Sequence, residues 1–283
     1  MEIPVFISYT SKMSYIIWLL IGAIYSPIFY QLYRFRWETI DYTHAYFILP
    51  VSLWLVWRKR ALLQELSRHS EQSPANFSIP LLLLGIFMFI FGWRQDYLSI
   101  STLSLIPVLY GLIIYLYGIN IAKTLSFPIL YLLLLIPPPL GILDSITLPM
   151  RHGISILTEI IIKGFGLPIM RDGLLLSMGG HEIYMGAPCS GFRSLITMIS
   201  LGLTYIYINQ NSLKNKAILL FSIVPIALFG NLFRVIAVCL VTFCYGETIG
   251  KKFHDISGFI IFLFMIFGMI GIENLLGENK NEG

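Results

Sequence analysis

The feature that most constrains this chain is the spacing of its apolar blocks. They run close to the ~20 residues needed to cross a hydrocarbon core and are separated by short polar loops. Of the 283 residues, 57% are hydrophobic and 12% are charged, about half the ~25% charged share of an ordinary soluble domain. Lipid is therefore the solvent for most side chains, and the expected fold is an all-α polytopic membrane protein forming one domain over 1–283. Eight spans are predicted, at about 13–33, 43–57, 77–93, 97–117, 125–143, 192–208, 217–244 and 257–276. The first is too long for a signal-peptide core and lacks a small-residue cleavage site, so it reads as an uncleaved span.

Arg58, Lys59, Arg60 and Arg68 follow the second span and place that loop in the cytoplasm. Alternation then puts Lys123, Lys214, Lys216 and both termini inside. The loops at 34–42, 94–96 and 245–256 and the long segment 144–191 fall outside, against the charge bias at Lys251 and Lys252. Within that long segment His152, Ser155, Glu159 and Lys163 recur at helical spacing between Ile and Leu residues, which predicts an amphipathic helix at the interface. Arg171-Asp172-Gly173 and Gly179-Gly180 are turn signals around a short Leu-rich run, and a small β-hairpin over about 170–186 is expected to deliver the chain to Cys189.

The net charge of +4 is spread over loops with no basic stripe, so no nucleic-acid partner is read. No phosphate loop or dinucleotide fingerprint occurs, so no cofactor is expected. His152 and His69 lack metal-ligand spacing, so no metal site is predicted, and His181 reads as structural. The odd cysteine count, Cys189, Cys239 and Cys244, argues against a full disulfide framework. Cys239 and Cys244 sit in an apolar run and read as small hydrophobes.

Three polar features converge on one predicted membrane face. Gly186-Ala187-Pro188-Cys189-Ser190-Gly191 forms a tight turn just before the sixth span, where backbone N–H groups and the helix dipole favour a thiolate. Arg193, one turn on, adds positive charge. Cys189 fits equally a reactive thiol, a packing residue in a turn, or half of a disulfide with Cys244. Ser190 is a weaker rival nucleophile, as it has no paired base. Arg234 lies among apolar residues in the seventh span, about 26 Å along the helix from Ala217 at ~1.5 Å per residue. An arginine there costs ~2.5–3.5 kcal/mol at mid-membrane. It either snorkels to the interface or faces the bundle to hold a substrate carbonyl or an oxyanion, with Asn231 on the same face. His254 precedes the eighth span on the same side and has the chemistry of a general base and acid. Gly258 leaves room beside it.

The motifs Cys189-Ser190-Gly191-Phe192-Arg193-Ser194, Asn231-Leu232-Phe233-Arg234 and Phe253-His254-Asp255-Ile256-Ser257-Gly258, in this order, resemble the exosortase/archaeosortase family. Thr43-His44-Ala45-Tyr46 ahead of Trp57-Arg58-Lys59-Arg60, Phe127-Pro128 leading to Ile136-Pro137-Pro138, and Gly166-Leu167-Pro168 with Arg171-Asp172-Gly173 extend the likeness over roughly residues 40–270. The resemblance implies a cysteine protease or transpeptidase in the bacterial or archaeal cytoplasmic membrane, its active site facing outward. Its partners would be membrane-anchored proteins with a C-terminal sorting signal: a short motif, often Pro-Glu-Pro, one transmembrane helix and a basic tail. Carried over by position, Cys189 is the nucleophile, Arg234 the transition-state stabiliser and His254 the acid/base, with a thioester intermediate. Asn231, Arg193 and His44 are the candidate substrate contacts, although His44 also fits a plain loop residue. Many members carry an acidic residue where this chain has Ala187, so the resemblance does not fix the recognition subclass. The competing readings are a transporter or assembly factor for exported polysaccharide, with Arg234 and His254 lining a solute path, and a structural subunit with a Cys189–Cys244 disulfide.

Overall fold

The computed structural model describes residues 5–37, 44–69, 76–138, 142–208 and 212–278. The chain divides into two compact units, Met1–Pro139 and Leu140–Gly283.

The first unit is helical: α1 (Val5–Leu32), α2 (Ala45–Arg58), α3 (Arg60–His69), α4 (Ser78–Arg94), α5 (Leu98–Leu103), α6 (Leu105–Tyr117), α7 (Ile119–Thr124) and α8 (Ser126–Tyr131). A π-helical turn, Tyr33–Trp37, continues α1. Two glycines set the approach of α4 to α6. A Cβ on Gly85 would lie 2.6 Å from Val108 Cγ2, and one on Gly111 would lie 2.8 Å from the Leu82 backbone nitrogen. With no hydrophobic drive between helices in lipid, such close packing of small residues is what joins them. Buried hydroxyls add specific ties: Tyr25 to Ser104 at 2.8 Å, and Ser52 to the Pro128 carbonyl at 2.9 Å.

The second unit holds α9 (Ile142–Gly164), strands β1 (Ile169–Asp172), β2 (Leu175–Met178) and β3 (His181–Tyr184), then α10 (Phe192–Ile208), α11 (Leu213–Tyr245) and α12 (Glu247–Glu278). The sheet is antiparallel in the order β1-β2-β3, three strands where the sequence predicted a hairpin. The Gly173 turn signal is itself a strand connection, at φ +59°. Gly179 and Gly180, at φ +60° and +83°, supply the left-handed pair that a two-residue hairpin turn needs. Period-two alternation turns Ile169, Leu176 and Met178 onto Ile154 and Ile162 of α9 and Val235 and Cys239 of α11, and Cys189 belongs to this same core. The predicted amphipathic helix is the second half of α9.

Three helical stretches among the described residues are long and apolar enough to cross a membrane: Ser14–Trp37, Leu98–Tyr117 and Leu213–Tyr245. They correspond to the first, fourth and seventh predicted spans. The second, third, fifth and sixth map onto shorter apolar helices, Ala45–Arg58, Ser78–Arg94, Ser126–Leu135 and Phe192–Ile208, so eight full crossings are not established. The fifth differs most. Its helix tightens to a 3-10 turn at Leu132–Leu135 and stops before Pro137 and Pro138, which cannot continue it. The predicted 245–256 loop is largely helix. Gly246, at φ +82°, reverses the chain in a single residue, and Glu247 suits the positive start of α12. The eighth predicted span therefore gains nearly three polar turns at its head, and His254 stands on them.

Candidate functional site

Cys189 ends up beside α11 because of the turn that carries it. Residues Ala187–Ser190 form a single 3-10 turn, its Cys189 N–H donating to the Gly186 carbonyl at 3.0 Å. Gly191 then breaks to the left-handed region at φ +75°, and any Cβ there would sit 2.7 Å from Asn231 Cγ. Ser190 is buried, and its hydroxyl accepts the Phe192 N–H at 3.2 Å, capping α10. Its hydroxyl therefore has a structural use at the head of α10. Asn231, fully buried, donates from Nδ2 to the Cys189 carbonyl at 2.9 Å. It is thus a clamp on the cysteine turn and does not face the cavity.

Cys189 Sγ lies 3.7 Å from His254 Nε2. Arg234 reaches the same imidazole nitrogen from α11, its Nη2 at 3.1 Å, and also donates to the His254 carbonyl at 3.1 Å and from Nε to Ser257 Oγ at 3.1 Å. Ser257 Oγ in turn donates to the His254 carbonyl at 2.9 Å. Since a guanidinium only donates, Nε2 carries the lone pair and the imidazole proton sits on Nδ1, which points at the Asp255 carboxylate 3.4 Å away. Gly258 adjoins the guanidinium rather than the imidazole: a Cβ there would be 4.0 Å from Arg234 Cζ.

The electrostatics differ from the expected thiolate. Burial pushes the Cys189 thiol above its ordinary range, and the Arg234 charge, the Gly186 hydrogen bond and Arg151 offset this only in part. The turn has spent the cysteine's own N–H on Gly186, and the left-handed Gly191 stands between Cys189 and the first turn of α10. Burial, then the Arg234 charge, holds His254 below the ordinary imidazole value, against the pull of Asp255. At neutral pH the resting pair is a neutral thiol beside a neutral imidazole. Alkylation of Cys189 by a small thiol reagent is therefore expected to rise only above the ordinary thiol range. Arg234→Gln should move that inflection further up, because it removes a charge that favours the thiolate. A mass-spectrometric rate profile against pH checks both.

Arg193 is exposed on α10. His44 is buried at the head of α2, in the first unit. All three cysteines are free, Cys244 being exposed, so the Cys189–Cys244 bridge is not formed. Two residues escaped the sequence reading. Ser257, three after His254, shares its helix face and ties Arg234 to the His254 backbone. Arg151 of α9 is largely buried, donates to Thr147 O and Oγ1 at 3.4 Å each and pairs with Asp144 at 3.6 Å. The run Asp144, Thr147, Arg151 lies at helical spacing, which was the available signal.

The site opens into a cavity of about 350 Å³, whose walls come from 182–186, from α11 and from the first turns of α12. Among the described residues no cluster of three or more His, Cys, Asp or Glu could hold a metal ion. A family model described as transmembrane exosortase matches residues 37–271. No curated protein and no solved structure matches the chain.

Proposed function

The chain belongs to the transmembrane exosortase family, and from that membership we propose that it is a cysteine peptidase or transpeptidase acting on C-terminal sorting signals of exported proteins. It is a multi-pass membrane protein, and we place its reaction at the outer face of the cytoplasmic membrane. The observation that carries the chemistry is the shared nitrogen: Cys189 Sγ at 3.7 Å and Arg234 Nη2 at 3.1 Å both address His254 Nε2.

In the resting site Arg234 occupies the lone pair that the base must use. A substrate carbonyl entering beside Cys189 competes for the same guanidinium. When Arg234 turns to the carbonyl oxygen, Nε2 is released to take the thiol proton as sulfur attacks the carbonyl carbon. The negative oxygen of the tetrahedral intermediate is then held by Arg234. Collapse breaks the C–N bond, and the proton on Nε2 passes to the leaving amine. Cys189 is left as a thioester of the new C-terminus. Water or an amine attacks the thioester, gives its proton to Nε2, and sulfur leaves to recover that proton. Substrate-triggered deprotonation suits a thiol that is protonated at rest.

The low imidazole value carries a pH consequence. His254 is active when neutral, so the acid limb of kcat/KM is expected below the ordinary 6.5. Asp255 favours the imidazolium, so Asp255→Asn should move that limb lower still. A limb at or above 6.5 in both proteins contradicts the assignment.

The function itself is tested by co-expressing the chain with an exported reporter that ends in a short motif, one apolar helix and a basic tail. The expected result is a shortened reporter only in cells that make the chain. A reporter of unchanged mass with every motif tried, alongside normal membrane levels of the chain, contradicts the proposal and leaves the transporter reading.

A further inference from the structure

The cavity is bordered by five consecutive residues, 182–186. Successive side chains of a strand point to opposite faces of its sheet, so a cavity that meets all of them meets the strand along its backbone edge. That edge is open, because β3 is the outer strand of the sheet and pairs only with β2 among the described residues.

The ladder's phase tells which groups face the opening. Met185 donates its N–H to the Leu174 carbonyl at 2.8 Å, continuing the register in which Tyr184 faces Leu175 and Glu182 faces Ser177. Bonded and non-bonded pairs alternate in an antiparallel ladder. Ile183 and His181 therefore turn their backbone groups to β2, and Glu182 and Tyr184 turn theirs outward. The Tyr184 carbonyl is taken by the Gly186 N–H at 2.9 Å. Among the described residues the Glu182 N–H, the Glu182 carbonyl and the Tyr184 N–H have no backbone partner and face an incoming chain.

We propose that the open edge of β3 is a docking site for an extended polypeptide, which adds as a fourth strand and runs into Cys189. This rests on the peptidase reading above and specifies how the substrate backbone is held. Two observations commit the occupant to peptide. The edge offers a donor and an acceptor on one residue and a donor two residues on, the repeat of a β-strand and of no lipid chain. The cavity also carries charged side chains of α12, Glu247 and Lys251, and Glu247 pairs with His181 at the start of β3 at 3.5 Å. The strand leads straight into the cysteine turn, so main-chain hydrogen bonds upstream of the scissile bond fix its distance from sulfur, the positioning an acyl transfer needs.

The test uses the wild-type chain and an alanine tetrapeptide vinyl sulfone that alkylates Cys189, with rates referred to methyl vinyl sulfone on the same thiol. Single N-methyl groups are placed on successive peptide amides. The expected result is a two-residue period: methylation at amides facing β3 slows alkylation by about tenfold or more, and methylation at the intervening amides changes it by less than about threefold. A flat scan, or a tetrapeptide reagent no faster than methyl vinyl sulfone, overturns the proposal. Failure of the peptidase reading shows separately, as reporter cleavage that survives Cys189→Ala.

Discussion

Cys189→Ala is expected to abolish reporter cleavage, a loss of about 10³-fold or more, with unchanged membrane levels. The side chain ends in a core with Ile154, Leu176 and Val235, so alanine removes one sulfur from a packed site and costs modest stability. Loss of activity without loss of protein thus reports chemistry. Cys189→Ser is the sharper variant. It keeps size and geometry, but a serine hydroxyl is far less acidic than a thiol already raised by burial, and His254, held low, is a weak base for it. Serine should therefore be almost as inactive as alanine. An alanine variant that keeps a tenth or more of the wild-type rate would mean that the nucleophile is another group.

Arg234→Lys is expected to lower kcat by about 10²–10³-fold with a smaller change in KM. The guanidinium makes contacts in three directions, to His254 Nε2, to the His254 carbonyl and to Ser257 Oγ. An ammonium is a point charge without that planar fork. Lysine keeps the charge beside the thiol and so leaves the alkylation inflection near that of the wild type, whereas Arg234→Gln shifts it. Equal kcat losses in both variants, with the inflection moved only in glutamine, separate the oxyanion role from the effect on thiol acidity. If lysine retains full kcat, oriented donation is not what Arg234 supplies.

The convergence of Cys189, Arg234 and His254 was legible in the sequence because each sits where a charged or reactive group is out of place. A cysteine between Pro188 and Gly191, an arginine inside α11 and a histidine ahead of an apolar run each need a reason. What could not be read was hydrogen-bond direction. The thiolate expectation followed from placing Cys189 at a helix start. The 3-10 turn and the left-handed Gly191 detach it from that helix, and burial then dominates. Asn231 was assigned to substrate for sharing a face with Arg234, but helical spacing does not tell whether a neighbour faces a cavity or another turn of chain.

The fold shows the same division. Long apolar runs such as 213–245 announce themselves, and strands of four residues are too short to carry a periodicity. The third strand was hidden for that reason, although both turn signals of the sheet were seen. The head of α12 was hidden by its own polarity: Lys251, Lys252 and Asp255 read as a loop, yet they are the solvated face of a helix whose other face carries Gly250 against Thr242 and Ser257 against Arg234.

The central claim is that Cys189 carries the substrate as a thioester, and capture by hydroxylamine tests it most directly. Purified chain, cleaving the reporter at saturating hydroxylamine, should release an N-terminal product whose mass is that of a C-terminal hydroxamate, and Cys189→Ala should release none. A product ending only in a carboxylate, formed at an unchanged rate and still formed by Cys189→Ala, would show that water attacks the peptide directly and that no acyl-enzyme exists.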